Sequence, residues 1–336
     1  MKMQLDFSNE SKNQYKWSES IDPSPGVGEV SVRIEASSIN YHDWAVVTGV
    51  KKTRDGLVPL TDGAGRIEAV GEGVTEFAPG DFVMSRFFPN WIAGAPTAAA
   101  LSGVPGDHID GFACTHITLP VTALTRAPAH LSAVEAAALP CAALTAWRAL
   151  FVEGSVGPGS WVVTQGTGGV SLFALQFARM AGARVIATSS SEAKLARLRE
   201  LGADHVINYR EQPKWFREVM DVTDGVGADQ IIEVGGGDTL AQSLRACRIG
   251  GRIAVIGVLS GHTSELFLDG LLGRNITLAG LSVGNREHQA DMVRAIEANA
   301  MRPIVDRVFP LADLGEAVSY YESGAHFGKV CLDHGA

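Results

Sequence analysis

The residue pattern that most clearly indicates chemistry is a glycine-rich turn in the middle of the chain. It comprises five consecutive residues: Gly166, Thr167, Gly168, Gly169 and Val170. The apolar run Trp161–Gln165 precedes it, and a helical pattern follows. A pyrophosphate binds backbone N–H groups at the start of a helix, and large side chains would block its approach. The turn therefore predicts a dinucleotide-binding site. Ser171 replaces the last glycine of the strict G-x-G-x-x-G fingerprint, but it is small enough for close packing.

The end of the next predicted strand indicates which dinucleotide is bound. Ser189 stands about 20 residues beyond the turn, where an NAD-specific protein has an acid on the ribose 2′-hydroxyl. Ser190 and Lys194 follow, and such hydroxyl and ammonium groups donate to phosphate oxygens. Tyr209, which ends the third strand, is expected against the adenine or the phosphate. These residues predict NADPH; in the alternative, Ser190 or Ser191 only caps the next helix and Lys194 is solvated.

Three more residues are predicted to contact the cofactor. Gly257 and Val258 follow a strand, and ligands of a parallel sheet bind at the carboxyl ends of its strands. Lys329 is predicted to reach a phosphate or a ribose, with a solvated lysine as the alternative.

The predicted secondary-structure elements that must position these residues differ between the first part of the chain and the rest. Up to about residue 125, short strands alternate with turns, and residues 29–35 show the period of two that is typical of a half-buried strand. Residues 88–111 form a long segment without periodicity, as lids and insertions do. From residue 160 to residue 281, strands alternate with helices, which predicts a doubly wound parallel sheet. The remaining residues are again mixed, so the chain is expected to return to its first domain.

Composition narrows the function class. The 336 residues are 46% hydrophobic and 19% charged, which predicts a large core. A net charge of −9 disfavours nucleic acid and anionic membranes as main partners. The four cysteines are far apart, which fits a reducing cytosol rather than a disulfide framework. Residues 1–17 are polar, so we expect no signal peptide, and no apolar run is long enough for a membrane span.

Several motifs together carry a family resemblance. They occupy residues 38–43, 59–65, 70–74, 79–81, 139–147, 250–257 and 327–330, beside the glycine turn. The chain resembles the zinc-lacking, quinone-oxidoreductase-like branch of the medium-chain dehydrogenase/reductase superfamily. The resemblance implies a GroES-like, mostly β catalytic domain from residues 1–142 and 282–336, around a Rossmann-like domain of residues 143–281. It also implies a cleft between them, Thr145 on the nicotinamide side, and a homodimer that pairs residues 276–281 across a twofold.

The resemblance also shows which residues of this chain stand at the zinc-ligand positions of its zinc-dependent relatives. In zinc-dependent relatives, a cysteine, a His-Glu pair and another cysteine or acid bind the ion; matching motifs places these at Asn40, at Thr61 and Asp62, and at Cys141. Only Cys141 is a good zinc donor, with Asp62 as a second candidate and His42 as a substitute. We therefore predict that the chain has no catalytic metal.

Without a metal there is no Lewis acid to polarise an unactivated alcohol or carbonyl. Hydride transfer from NADPH to a quinone or an enone is the easier reaction, and it needs a hydrogen-bond donor to the developing oxyanion. Tyr41 and His42, with Asn40 beside them, are the predicted catalytic residues. In the alternative, Tyr41 only lines the pocket, His42 lies at the surface and Asn40 hydrogen-bonds the turn.

Three functions remain open at this point. The first is an NADPH-dependent quinone or enone reductase. The second is an NADP-dependent alcohol dehydrogenase, with or without zinc. The third is a nucleotide-binding protein with a structural or sensing role and little turnover. The loss of zinc donors at Asn40 and Thr61 favours the first over the second.

Overall fold

The computed structural model describes residues 1–6, 15–19 and 24–335. It divides into two compact units: the first is Met1–Leu144 with Gly284–Ala336, and the second is Thr145–Val283. The boundaries expected from the sequence differ from these by two residues at each crossing. Residues 7–14, within the polar N-terminal segment, lie outside the described part.

The first unit is built mainly from strands. Before the chain crosses into the second unit, its elements are β1 (Lys2–Leu5), β2 (Tyr15–Ser18), β3 (Glu29–Ile39), α1 (Tyr41–Val47), β4 (Asp62–Val70), β5 (Phe82–Ser85), β6 (His116–Pro120), a 3-10 turn (Val121–Ala123), β7 (Leu124–Arg126) and α2 (Ala133–Ala137). Ser132 caps α2 through a capping box with Glu135. Residues 88–111 contain no helix or strand, as expected.

A helical run connects the two units, and the second unit then alternates strand and helix. The run places α3 (Leu144–Trp147) between π-helical turns at Leu139–Ala143 and Arg148–Val152, where the sequence predicts one regular helix. The elements that follow are β8 (Trp161–Gln165), α4 (Gly169–Met180), β9 (Arg184–Ser189), α5 (Glu192–Glu200), β10 (His205–Asn208), α6 (Trp215–Val222), β11 (Ala228–Glu233), α7 (Gly237–Ala246), β12 (Cys247–Val255), α8 (Leu268–Gly273) and β13 (Thr277–Gly280).

The sheet of the second unit confirms the predicted doubly wound architecture. Its strands are all parallel and lie in the order β10-β9-β8-β11-β12-β13. The order reverses between β8 and β11, and such a switch point is where ligands bind. One apolar row crosses the sheet, with Ile186, Val163, Ile231 and Ile253 in register and fully buried. This row holds the strand ends in fixed positions.

The chain then returns to the first unit and completes its sheet. The last elements are α9 (Arg286–Ala298), β14 (Val305–Pro310), a 3-10 turn (Leu311–Asp313), α10 (Leu314–Glu322) and β15 (Lys329–Asp333). The sheet runs β14-β15-β3-β4-β5-β7, with β6 also paired to β3. The first seven residues of β3 alternate in burial, whereas its last four are all buried. β15 lies antiparallel to that buried end, with Val330 opposite Ile39.

One helix of the first unit was not predicted. The structure has α1 directly after β3, in a segment that the sequence analysis assigned to strands and turns. Asn40 and Asp43 form a capping box at its start, so the signal was present in the sequence. In the described part of the chain, no helix is both long enough and apolar enough to cross a membrane.

Candidate functional site

The glycine turn lies at the carboxyl end of β8, at the switch point of the sheet. Gly166 has a φ of +71°, a conformation that favours glycine, and its N–H donates to the carbonyl of Thr188. Gly168 is the N-cap of α4 and no side chain caps the helix there. A Cβ built at Gly166 or Gly168 would meet no atom within 4 Å. The start of α4 is therefore open to an anionic group such as a pyrophosphate.

Ser171 shows how the turn tolerates its departure from the strict fingerprint. Its hydroxyl donates a 2.6 Å hydrogen bond to the carbonyl of Gln165, the last residue of β8. Ser171 is 2% exposed, so helix and strand pack closely as expected. The hydroxyl joins the two ends of the turn, which a glycine at this position cannot do.

The residues predicted to select the cofactor lie at the ends of β9 and β10. Ser189 is buried, and its hydroxyl accepts a hydrogen bond from the Ser191 N–H. Ser191 in turn caps α5, with the Lys194 N–H as donor, so the capping alternative holds for Ser191. Ser190 is half-buried, and Tyr209 is 41% exposed beyond the end of β10. The contacts of these residues with a cofactor stay a prediction.

Two carboxylates lie near the end of β10, beside this region. The Asn208 amide at the end of β10 donates to Glu192 (2.6 Å) and to Glu211 (3.1 Å). Asn208 is the register partner of Ser189. The carboxylates of Glu192 and Glu211 therefore lie near the strand end at which the 2′-phosphate is predicted to bind, and the preference for NADPH stays a prediction. Glu192 was overlooked because it belongs to the first turn of α5 and not to the strand end.

Two loops at neighbouring strand ends complete this edge of the sheet. A Cβ at Gly257 would lie 2.4 Å from the Val234 carbonyl, so only glycine fits the close approach of the two loops. Gly236 and Gly261 form a bridge between the same loops. Val258 is half-buried beside Gly257, and Thr145 is buried at the start of the second unit. Gly257 and Val258 thus lie at the predicted edge of the sheet, and their contact with a cofactor stays a prediction.

Glu233 holds one of these loops, and the sequence analysis did not identify it. Its carboxylate is fully buried and accepts hydrogen bonds from the N–H groups of Gly235 and Gly236, both at 2.9 Å. The hydroxyls of Thr239 and Ser243 and the amide of Gln165 also donate to it. Five donors therefore fix the loop after β11 beside the glycine turn.

A buried polar cluster lies in the first unit, at the junction of β3 and α1. The Asp43 carboxylate accepts hydrogen bonds from the Asn40 N–H (2.8 Å) and from the Thr61 N–H (2.8 Å). The Asn40 amide donates to Asp62 (2.9 Å) and to Asp43 (3.1 Å). All four residues are buried. Burial raises the pKa of Asp43, and the hydrogen bonds from Thr61 and Asn40 oppose that rise.

Lys329 enters the same cluster. Its ammonium donates to the Ile39 carbonyl (2.9 Å) and to the Asn40 side-chain oxygen (2.5 Å), and it lies 3.8 Å from the Asp62 carboxylate. Burial raises the pKa of Asp62 to about 6, while Lys329 opposes the rise. The Lys329 side chain is 3% exposed. The alternative of a solvated lysine is wrong, because the Lys329 side chain is buried and donates two hydrogen bonds inside the protein, whereas its contact with the cofactor stays a prediction.

The cluster corrects the predicted role of Asn40. Its amide N–H groups and its oxygen are all used by Asp43, Asp62 and Lys329, and the residue is 7% exposed. No donor remains for a substrate oxyanion. Asn40 orders the cluster and the start of α1, as the alternative interpretation held.

The residues at the zinc-matching positions do not fit a metal ion. Asp62 Oδ2 already accepts from Asn40 and, at 3.4 Å, from the Cys141 N–H, and an ammonium lies beside it. Burial, followed by the charge of Asp62, raises the pKa of the Cys141 thiol well above its usual value, whereas zinc needs a thiolate. Among the described residues, no group of three His, Cys, Asp or Glu side chains could hold a metal.

Tyr41 and His42, the other predicted catalytic residues, begin α1. Tyr41 is 38% exposed, with its ring 5.3 Å from that of Trp44. His42 Nε2 lies 3.1 Å from Asp107 without hydrogen-bond geometry. Burial and Lys51 lower the pKa of His42, which favours the neutral imidazole. Their catalytic role stays a prediction.

Tyr321 is a further residue near this cluster that sequence reasoning missed. Burial, then the charges of Asp43 and Cys141, raise the pKa of its phenol. Its ring stacks on that of His326 at 4.8 Å. Tyr321 lies in α10, about 280 residues from Asp43, so no local pattern links the two.

Comparisons of the sequence with known proteins point to one family of dehydrogenases in both units of the chain. The family model "Alcohol dehydrogenase GroES-like domain" matches residues 26–129, and "Zinc-binding dehydrogenase" matches residues 169–298. A zinc-type alcohol dehydrogenase-like protein of Schizosaccharomyces pombe is 43% identical over 334 residues, covering 97% of this chain and 95% of the relative. The word zinc in these names belongs to the family model and to the relative, and it is not a statement about this chain.

Solved structures of a dehydrogenase-type protein and a reductase also resemble this chain over nearly its whole length. An alcohol-dehydrogenase-type protein of Sinorhizobium meliloti has a TM-score of 0.91 and 40% identity, covering 99% of both chains. A 2-haloacrylate reductase has a TM-score of 0.79 and 27% identity, covering 99% of this chain and 100% of the other.

Proposed function

Because the chain belongs to the medium-chain dehydrogenase/reductase superfamily of oxidoreductases, we propose that it is an NADPH-dependent reductase of quinones or α,β-unsaturated carbonyl compounds. The proposed reaction uses no catalytic zinc. Similarity to a 2-haloacrylate reductase supports an activated double bond as the acceptor, since a haloacrylate carries one beside its carboxylate.

The observation that carries this proposal is the ion pair between Lys329 and Asp62. Asp62 and Asn40 stand at two of the positions that match zinc ligands, and Asn40 is hydrogen-bonded to both Asp62 and Lys329. An ammonium cannot accept a lone pair from a substrate oxygen as a metal does. The acceptor must therefore be electrophilic by itself, and quinones and enones meet this requirement.

The second unit supplies the proposed cofactor site. Bound NADPH would supply a hydride to the acceptor. The open start of α4 at Gly168 binds the pyrophosphate, and the uncharged Ser189 leaves room for a 2′-phosphate that Lys194 attracts. Glu192 opposes this preference. Ser189 and Glu192 together therefore determine how strongly NADPH is preferred over NADH.

Stabilising the developing oxyanion falls to Tyr41 and His42 in this proposal. The Tyr41 phenol and a neutral His42 imidazole can each donate one hydrogen bond to an oxygen, and such a donor contributes strongly in a site that excludes water. Asn40 takes no part because its polar atoms are engaged.

Turnover with defined acceptors tests the proposal. NADPH oxidation is followed with a panel of quinones and enones, and alcohol oxidation with NADP is measured in parallel, while zinc is quantified in the same preparation. We expect turnover with the electrophilic acceptors, no loss of activity with a chelator, and much less than one zinc per chain. Zinc-dependent alcohol oxidation would instead identify an alcohol dehydrogenase. Tight NADPH binding without turnover on any acceptor would identify a binding or sensing protein.

A further inference from the structure

We propose that Lys329 takes the place of a metal ion in this protein: its ammonium compensates the buried Asp62 carboxylate and excludes a divalent cation from the cluster around residues 40, 62 and 141. The inference rests on the zinc-free part of the proposed function. It assigns to one residue the reason why the chain works without zinc.

The cluster retains part of a metal site. Asp62 and Cys141 lie side by side, with the Cys141 N–H 3.4 Å from Asp62 Oδ2, and Asn40 lies within 2.9 Å of the same oxygen. The charge of Asp62 also raises the pKa of the Cys141 thiol, so the sulfur lies within electrostatic range of the carboxylate. A third donor at position 40 would give the three protein ligands of a catalytic zinc site. The present Asn40 instead bridges Asp62 and Lys329.

The fold brings the ammonium to this point. β15 pairs with the buried end of β3, and this register sets Lys329 beside Ile39 and Asn40. Gly328, which precedes it, has a φ of +104°, and a Cβ there would lie 2.3 Å from the Ile304 carbonyl. The glycine lets β14 and β15 approach closely, so the lysine stem enters the interior rather than the solvent.

Burial makes the exclusion strong. The Lys329 and Asp62 side chains are 3% and 0% exposed, so water screens their charges little. A divalent ion bound at Asp62 would lie within a few ångströms of the ammonium and would be repelled. Asp62 Oδ2 would also have to give up the hydrogen bond from Asn40.

Cobalt titration of designed variants tests the inference. Asn40→Cys adds the missing donor and keeps the ammonium, Asn40→Cys/Lys329→Met removes the ammonium, and Asn40→Cys/Lys329→Arg is the matched control that keeps a positive charge. We expect one Co²⁺ per chain, thiolate-to-cobalt absorption, and at least ~100-fold tighter binding only in the variant with methionine. Equal binding in all three variants, binding in none, or one Co²⁺ per unmodified chain would each overturn the inference.

If the Asn40→Cys/Lys329→Met variant does not fold, a double-mutant cycle on stability tests the same inference. Removing Lys329 alone leaves a buried carboxylate without a cation, whereas removing both charges does not. We therefore expect Lys329→Met/Asp62→Asn to unfold at higher urea than Lys329→Met, and purely additive losses would contradict the inference. Neither experiment uses turnover. A chain that reduced no quinone or enone would thus contradict the proposed function without touching this inference.

Discussion

The Gln165 side-chain amide donates a 2.7 Å hydrogen bond to the Glu233 carboxylate, and both side chains are buried. Gln165 ends β8 directly before the glycine turn, and Glu233 ends β11 directly before the next loop. The pair therefore ties together the two strand ends that flank the switch point of the sheet. A carboxylate with five donors has no spare oxygen for a ligand, so its role is to position the loop.

Glu233→Gln should destabilise the second unit and weaken the cofactor site. The new NH₂ group would face donors, and each unsatisfied buried donor costs about 1–3 kcal/mol. We expect the free energy of unfolding to fall by about 3 kcal/mol in urea, and the NADPH dissociation constant to rise. Glu200→Gln, at an exposed position at the end of α5, is the control and should change neither quantity.

Ser189→Asp should reverse the cofactor preference. A carboxylate at the end of β9 repels a 2′-phosphate and accepts from a 2′-hydroxyl, so NADPH should bind at least ~10-fold more weakly relative to NADH. Glu192→Gln removes a carboxylate near the same strand end and should shift the ratio the other way. Dissociation constants for both cofactors, measured by fluorescence titration, check the pair. An unchanged ratio in Ser189→Asp would remove the reason for preferring NADPH.

An exposed apolar surface favours a homodimer through the second unit. β13 is an edge strand of the sheet, α8 has no buried residue, and Phe267 and Leu272 are 76% and 71% exposed. Edge strands and apolar surfaces of this kind tend to be covered by a partner. We expect Leu272→Glu to convert a dimer into a monomer in light scattering. Val226→Glu, at a loop residue before β11 that is 60% exposed, should leave the dimer intact. A monomeric unmodified chain would refute the expectation.

His334 should make the first unit sensitive to mild acid. Its Nδ1–H donates to the Cys114 carbonyl (3.0 Å), so in the neutral ring Nε2 accepts from the Ser37 hydroxyl (2.9 Å), and burial lowers its pKa to about 4. In the unfolded chain the histidine takes up a proton at about pH 6.5. The contribution of neutral His334 to the free energy of unfolding is therefore complete above that pH. It is lost as the pH falls from about 6.5 towards 4, up to about 3 kcal/mol.

The variant His334→Asn isolates that contribution. Asparagine keeps a donor for the Cys114 carbonyl and does not titrate. The difference in unfolding free energy between the two proteins should shrink between pH 7 and pH 4.5. A difference that stays constant over this range would show that His334 does not titrate on unfolding.

The parts of the fold that rest on local patterns could be predicted from the sequence. The alternation of strands and helices from residue 160 onwards and the glycine turn are local signals. The doubly wound parallel sheet and the Rossmann-like and GroES-like domains that they and the family resemblance predict are confirmed. The capping box at Asn40 was equally local, but the turn-rich context concealed α1.

The side-chain network could not be predicted in the same way. Asn40, Asp62 and Lys329 are individually unremarkable in the sequence, and their association depends on pairing between β3 and β15. Glu233 looks like one more polar residue at a strand end. A buried charge becomes visible only when the structure shows which donors surround it.

The pairing of β15 with β3 has a consequence for the order of folding. Val330 and Ile39 are 291 residues apart, whereas the second unit is one continuous segment. During synthesis the second unit can complete its sheet first, while residues 36–39 of β3 keep an unpaired edge until nearly the whole sequence has emerged. The buried Asp62 carboxylate likewise lacks its ion pair until Lys329 has been synthesised. The docking of β15 is therefore the last step in completing this sheet, and we expect a ribosome-bound chain that ends before Lys329 to be the species most prone to aggregate.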